Sequence, residues 1–227
     1  QVLFGPYLGR EEHEAFTVQR LGFDLEISHR IAEGFEVSGG YLHEFSDLRD
    51  LGKGLATTGE SDEFFSGPWF EFDLENLDRQ INPTRGLFLG GLARSSFKAL
   101  GGTEDLIELQ LRAGFYYPLS SIEEHQIVLF LGLRGELSAP LFGDTTVPIQ
   151  RRVFSGGIDS VRSFEPDRLG PQNDFRTPIG GELALIARVE ARFQIWQELW
   201  AVLFLDVGTV EESLDKYRGR HPGYAIG

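Results

Sequence analysis

The sequence predicts an all-β fold built from long antiparallel strands, and three observations carry that expectation. Apolar and polar residues alternate with a period of two over most of the chain. No segment keeps a helical period, and several alternating runs reach 10 or more residues. An ordinary globular strand has roughly 5–6 residues, whereas a tilted strand that crosses a bilayer takes roughly 9–11.

Along the chain, an irregular strand near 1–9 is followed by 20–28, where Leu21, Phe23, Leu25 and Ile27 alternate with Arg20, Gly22, Asp24, Glu26 and Ser28. A second irregular strand lies near 35–45. In 69–76, Phe70, Phe72 and Leu74 alternate with Glu71, Asp73 and Glu75, and the turn INPTRG at 81–86 leads to an irregular strand at 86–98. In 106–117, Ile107, Leu109, Leu111, Ala113, Phe115 and Tyr117 oppose Glu108, Gln110, Arg112 and Gly114. After the link PLSSIEEH at 118–125, residues Ile127, Leu129, Leu131 and Leu133 oppose Gln126, Gly132, Arg134 and Glu136. In 182–195, Leu183, Leu185, Val189, Phe193 and Ile195 oppose Glu182, Arg188, Glu190, Arg192 and Gln194. A strand at 198–209 and the start of another at Gly223 complete the order. Longer charged or Gly-rich links, such as 46–63, belong to the opposite rim.

Composition narrows the class. The 227 residues suit one large domain or two small ones, and 41% hydrophobic with 25% charged residues argues for a folded chain. No window approaches 18 consecutive apolar residues, which excludes a transmembrane helix and leaves a transmembrane barrel open. A net charge of -14 speaks against a nucleic-acid surface. Without Cys there is no disulfide framework and no thiolate metal site; without Met or a signal peptide the chain reads as a processed product or a fragment. Periodicity alone leaves two architectures. A soluble sandwich buries its apolar face and shows turn signals every 8–12 residues; a porin-like barrel turns that face to lipid and keeps a polar lumen. Long strands, aromatics near strand ends (Trp69, Tyr116, Tyr117, Trp196, Trp200) and the acidic balance favour the barrel.

The stretch SGGIDSVRSFEPDRLGP, 155–171, mixes Gly, Pro, both charge signs and the apolar Val161 and Phe164. It resembles the loop signature of the BamA/TamA family of outer-membrane protein assembly factors, the bacterial surface antigen barrels. Gly156, Gly157, Ser160, Val161, Arg162, Phe164, Gly170 and Pro171 match, and Ser163 stands where the family usually has Gly. NLDRQINPTRGLFLGG (76–91) resembles the family's periplasmic hairpin, with Asp78, Asn82, Pro83 and Gly86 in place. PIGGELALIARVEARFQI (178–195) resembles the strand after the loop, with Glu190 at its acidic position. AVLFLDVGTV (201–210) resembles the next strand, with Phe204, Asp206 and Gly208 matching. Four motifs in order cover about residues 65–227.

The resemblance implies a partial antiparallel transmembrane β-barrel over 1–227, nine to ten strands of about sixteen, in the bacterial outer membrane. It implies that the periplasmic POTRA domains, the first strands and the last ones lie outside this chain, so that 1–9 and 223–227 are sheet edges within it. Residues 139–180 become a loop folded into the lumen, with Arg162 reaching Asp206 and Glu190 as anchoring acids. The implied function is catalysis of folding and insertion of β-barrel or autotransporter clients. Lipid, unfolded clients and periplasmic or lipoprotein subunits are the implied partners, and no cofactor is needed. A two-partner-secretion transporter shares the loop signature, and a passive pore is the third reading.

Bond chemistry finds little support in the sequence. His13, His29, His43, His125 and His221 lack a metal-ligand spacing, and EEHEAF at 11–16 reads as a solvated acidic loop. There is no Gly-x-Ser-x-Gly elbow or P-loop, and no Ser/His constellation can be assembled at a rim. Glu71, Asp73 and Glu75 share one strand face and read as lumen-lining. The sequence therefore supports no enzyme and no metal site.

Overall fold

A computed structural model describes residues 2–55, 62–120, 126–143, 146–197, 199–213 and 223–226. The strands are β1 (Val2–Glu12), β2 (Thr17–Ala32), β3 (Phe35–Arg49), β4 (Asp62–Leu77), β5 (Gly86–Ser96), β6 (Leu106–Ser120), β7 (Ile127–Pro140), β8 (Leu183–Trp196), β9 (Leu199–Glu211) and β10 (Gly223–Ile226). They form one ten-stranded sheet in chain order, every neighbouring pair antiparallel. Within this order β1 and β10 are the edge strands. β2 and β4 extend beyond the clean alternation at 20–28 and 69–76, because hydrogen bonds to β3 continue the ladder past the last regular residue. Two single 3-10 turns, Lys98–Leu100 and Ile149–Arg151, are the helical pieces among the described residues.

The register sorts side chains into two faces. Leu87, Phe115, Leu131, Val189 and Leu205 lie in one cross-strand row, and Gly91, Leu111, Gly135, Leu185 and Thr209 in another. Apolar side chains on this outer face stay open: Leu111 is 52% exposed, Leu133 65% and Leu203 62%. In water such a face would be an aggregation surface; against hydrocarbon it is the favoured arrangement. The opposite parity carries Arg20, Glu44, Glu108, Arg134, Glu190 and Asp206.

The link between β7 and β8, 141–182, packs across this second face and builds the core there. Val153, Val161 and Leu169 of the link are buried with Ala184, Ile186 and Val210 of the strands, and Phe164 and Phe204 pack beside them. Ile149 and Phe154 cover Ala15, Phe16, Val18 and Leu48. The polar strand face is thus only partly solvated.

The strand-end aromatics divide between the two faces. Trp69 donates Nε1–H to Asp24 at 2.8 Å, Tyr116 stacks on Phe130, and Trp200 packs with them, all on the loop-covered parity. Tyr117 and Trp196 are exposed, at 52% and 70%. Strand pairing carries β7 to Pro140 and delays β8 to Leu183, which shifts the expected loop from 139–180 to 141–182. β3 runs on to Arg49 and β4 starts at Asp62, so the rim link is shorter than 46–63; its residues 56–61 lie outside the described residues. Residues 121–125 of the PLSSIEEH link, with His125, and His221 also lie outside them.

Candidate functional site

The loop reaches the sheet through one tight segment. Gly157 N–H donates to the Phe164 carbonyl at 2.9 Å, Phe164 N–H to Val161 at 3.0 Å, and Gly156 N–H to the Ser160 hydroxyl at 3.0 Å. Gly156 sits at φ +129, and a Cβ there would stand 2.3 Å from the Glu165 carbonyl oxygen, so only glycine fits. Val161, wholly buried, seats the segment on the strands. Ser163, at the position of the usual Gly, is exposed and does not have a positive φ, so its side chain is accommodated without strain. Gly170 rests against Val210, and Pro171 accepts from Ile179 N–H at 3.1 Å.

This segment presents Arg162 to two strands. Its Nε donates to Asp206 Oδ2 at 2.7 Å, Nη2 donates to Asp206 Oδ1 at 2.8 Å and to Glu190 Oε1 at 2.7 Å, and the backbone N–H reaches Asp206 Oδ2 at 3.2 Å. Asp206 is fully buried, so this planar fork is what compensates its charge. The guanidinium lies 3.7 Å over the Phe204 ring. Arg192 Nε holds the second oxygen of Glu190 at 2.9 Å, and Arg188 Nη2 donates to the Ser160 carbonyl at 2.8 Å. Both arginines fix the geometry around the pair.

A second constellation escaped the sequence reading. Arg151, at the root of the loop, is buried with Glu44 of β3 and Glu63 of β4; its Nη2 donates to Glu44 Oε1 at 2.6 Å. Nε faces Glu63 Oε2 at 3.5 Å, Nη1 faces Glu108 Oε1 of β6 at 3.8 Å, and the guanidinium lies 4.4 Å from the Phe65 ring centre. Burial alone would make Arg151 less basic, but Glu108, Glu63 and Glu44 raise it above its ordinary value. Glu44 and Glu108 lie on the polar parity of their strands; an unpaired basic residue in QRRVF was the available signal.

The rim link 13–16 is not a solvated acidic loop. Ala15 and Phe16 are buried, and His13 packs at a tilt against Phe16 and Phe154, 4.7 Å between ring centres in each pair. Its Nδ1 meets Asp167 at 3.2 Å and Nε2 meets Glu11 at 3.3 Å. Burial pulls the imidazolium down, yet the hydrogen bonds to Asp167 and Glu11 outweigh it and lift His13 to about 9. Arg168 of the loop pairs with Glu14 of the same link.

At the other rim, Asp78 closes the hairpin between β4 and β5. It accepts from the Thr84 amide at 2.9 Å, the Thr84 hydroxyl at 2.6 Å and the Arg85 amide at 3.1 Å. Desolvation opposes its charge, but these donors prevail and hold the carboxyl down at about 2. Asn82 takes φ +52, Pro83 is buried, and Gly86 at φ +119 could carry no Cβ, which would stand 2.0 Å from the Asn76 carbonyl. Asp73 pairs with Arg112 on the polar parity. One Ser/His contact that the sequence reading could not assemble does form: Ser66 Oγ lies 2.9 Å from His43 Nδ1. Ser66 is fully buried and its hydroxyl donates to the Leu100 carbonyl at 2.8 Å, so it offers no accessible nucleophile.

An apolar outer face, a polar second face and one long loop clamped across it define the β-barrel portion of an outer-membrane protein. The Omp85 superfamily domain matches residues 5–222, and the chain belongs to that superfamily. It is a protein of the bacterial outer membrane. The outer membrane protein assembly factor BamA of Nitratidesulfovibrio vulgaris is 24% identical over 213 residues, 91% of this chain. The crystal structure of Haemophilus ducreyi BamA lacking POTRA domains 1–3 matches with a TM-score of 0.74 and 18% identity, also over 91% of this chain. The chain spans 26% of the length of the first relative and 46% of the second.

Proposed function

We propose that this chain is the membrane-embedded part of an assembly factor that folds and inserts β-barrel or autotransporter proteins into the outer membrane, with lipid and unfolded clients as its partners. The carrying observation is the Arg162 fork, which ties the loop to β8 and β9 on the covered face. Within this reading that face lines a lumen, and the whole protein adds further strands, POTRA domains and accessory subunits. The work is physical. Unpaired strand edges are costly in hydrocarbon, so a barrel that opens offers a client strand a template, and client folding drives the process without a nucleotide. A passive pore fits less well, because the loop would obstruct the lumen.

The test is reconstitution of the full-length protein into lipid vesicles, followed by addition of a urea-unfolded barrel client. Folding is read from the heat-sensitive gel mobility of the client. Vesicles with the protein should fold the client faster than empty vesicles; equal rates would remove the assembly reading.

A further inference from the structure

We propose that Arg151 is a second positioning residue, which ties the root of the 141–182 loop to β3, β4 and β6 and makes the loop a brace across the sheet. This deepens the assembly reading above and rests on it only for the effect on clients. The tip of the same loop is held on β8 and β9 by Arg162. β7 separates β6 from β8, so the two strand groups share no direct ladder. The loop links them through side chains, one arginine at each end.

The local backbone is built to deliver Arg151. Its N–H donates to Pro148 at 2.9 Å and the next N–H to Ile149 at 3.2 Å, closing a single 3-10 turn. Arg152 holds that turn from behind, donating Nε–H to Val147 at 3.0 Å and Nη1–H to Ile179 at 3.2 Å. Arg20 of β2 donates to the Gln150 carbonyl at 3.3 Å. The Arg151 side chain is then 2% exposed, facing Glu44 and Glu63 side chains at 3% each. A buried ion cluster is a poor source of stability compared with apolar packing, and its best-attested use is to fix register or position. Here it fixes where the loop root sits.

The two ends of the brace are not equally strong. Both Asp206 oxygens and both Glu190 oxygens accept hydrogen bonds from arginine. At the root, Arg151 Nε and both Glu63 carboxylate oxygens are buried with no hydrogen-bond partner among the described residues. When the strand groups move apart, the root therefore releases first, and the loop swings about Arg162.

The experiment uses the full-length protein in vesicles, with Arg151→Met, Glu44→Gln, the double variant and Arg151→Lys. Protease cleavage after Arg152 reports the root, heat-sensitive mobility reports the intact barrel, and the client-folding assay reports function. Arg151→Met should speed cleavage about tenfold with the barrel intact. Adding Glu44→Gln to it should speed cleavage little further, and Lys should restore most of the protection. Unchanged cleavage in Arg151→Met, or full additivity in the double variant, overturns the proposal. The assembly reading fails separately, if wild-type protein does not accelerate client folding while the root still loosens.

Discussion

Two arginines of one loop meet carboxylates of one sheet face in different ways. Arg162 uses three guanidinium hydrogen bonds of 2.7–2.8 Å in a planar fork, and keeps a side-chain exposure of 20%. The Arg151 side chain is 2% exposed, yet among the described residues its guanidinium makes one hydrogen bond and faces two further carboxylates at 3.5 and 3.8 Å. The first site depends on shape, the second on charge in a dry place. Buried charge therefore says little by itself about strength; what counts is how many lone pairs and protons are matched.

The largest effect belongs to the shape-dependent site. Arg162→Ala should cost about 3–5 kcal/mol of local loop stability, because Asp206 remains buried and unpaired. Protease cleavage within 155–171 and client folding are the measurements, with barrel mobility unchanged. Arg151→Met should cost less, about 1.4 kcal/mol at the loop root, which is the tenfold change in cleavage, since Arg20 still stands 3.6 Å from Glu44. If the two losses prove equal, the distinction between the sites collapses.

Lysine substitutions sharpen it further. A point charge cannot reproduce the fork on Asp206 and Glu190, so Arg162→Lys should recover at most about 1 kcal/mol of the loss. Arg151→Lys should recover more than half. The smallest effect is at the rim. His13 is raised from 6.5 to about 9 in the folded protein, so its contribution is complete below 6.5 and lost as pH rises through about 9. Solvent screening keeps that contribution to about 1 kcal/mol or less. Protection of residues 13–16 should fall between pH 7 and 10 in wild type and stay flat in His13→Gln.

The strands were legible because alternation and length are local properties: Ile107, Leu109 and Leu111 declare one face within five residues of chain, with no help from distant partners. The Gly156–Phe164 segment was legible as a motif, and Glu190 and Asp206 as polar-parity positions. Arg151 was not, because its partners come from three strands 43 to 107 residues away in sequence. The role of Trp69 was hidden for a similar reason, because its hydrogen-bond acceptor, Asp24, lies 45 residues earlier. The acidic look of 11–16 hid its role, since Asp167 and Phe154 that pack on His13 belong to the distant loop.

The central claim is that the loop is held on the polar face by Arg162. The 227 residues contain no Cys, so thiols placed at the exposed Ile158 and Leu203 are unique within them. Spin labels on those two sites, in full-length protein in a bilayer, report the loop-to-β9 distance by pulsed electron resonance. The account predicts one narrow distance distribution in wild type and a broad one in Arg162→Ala. A broad wild-type distribution, or one that Arg162→Ala leaves narrow, would contradict it.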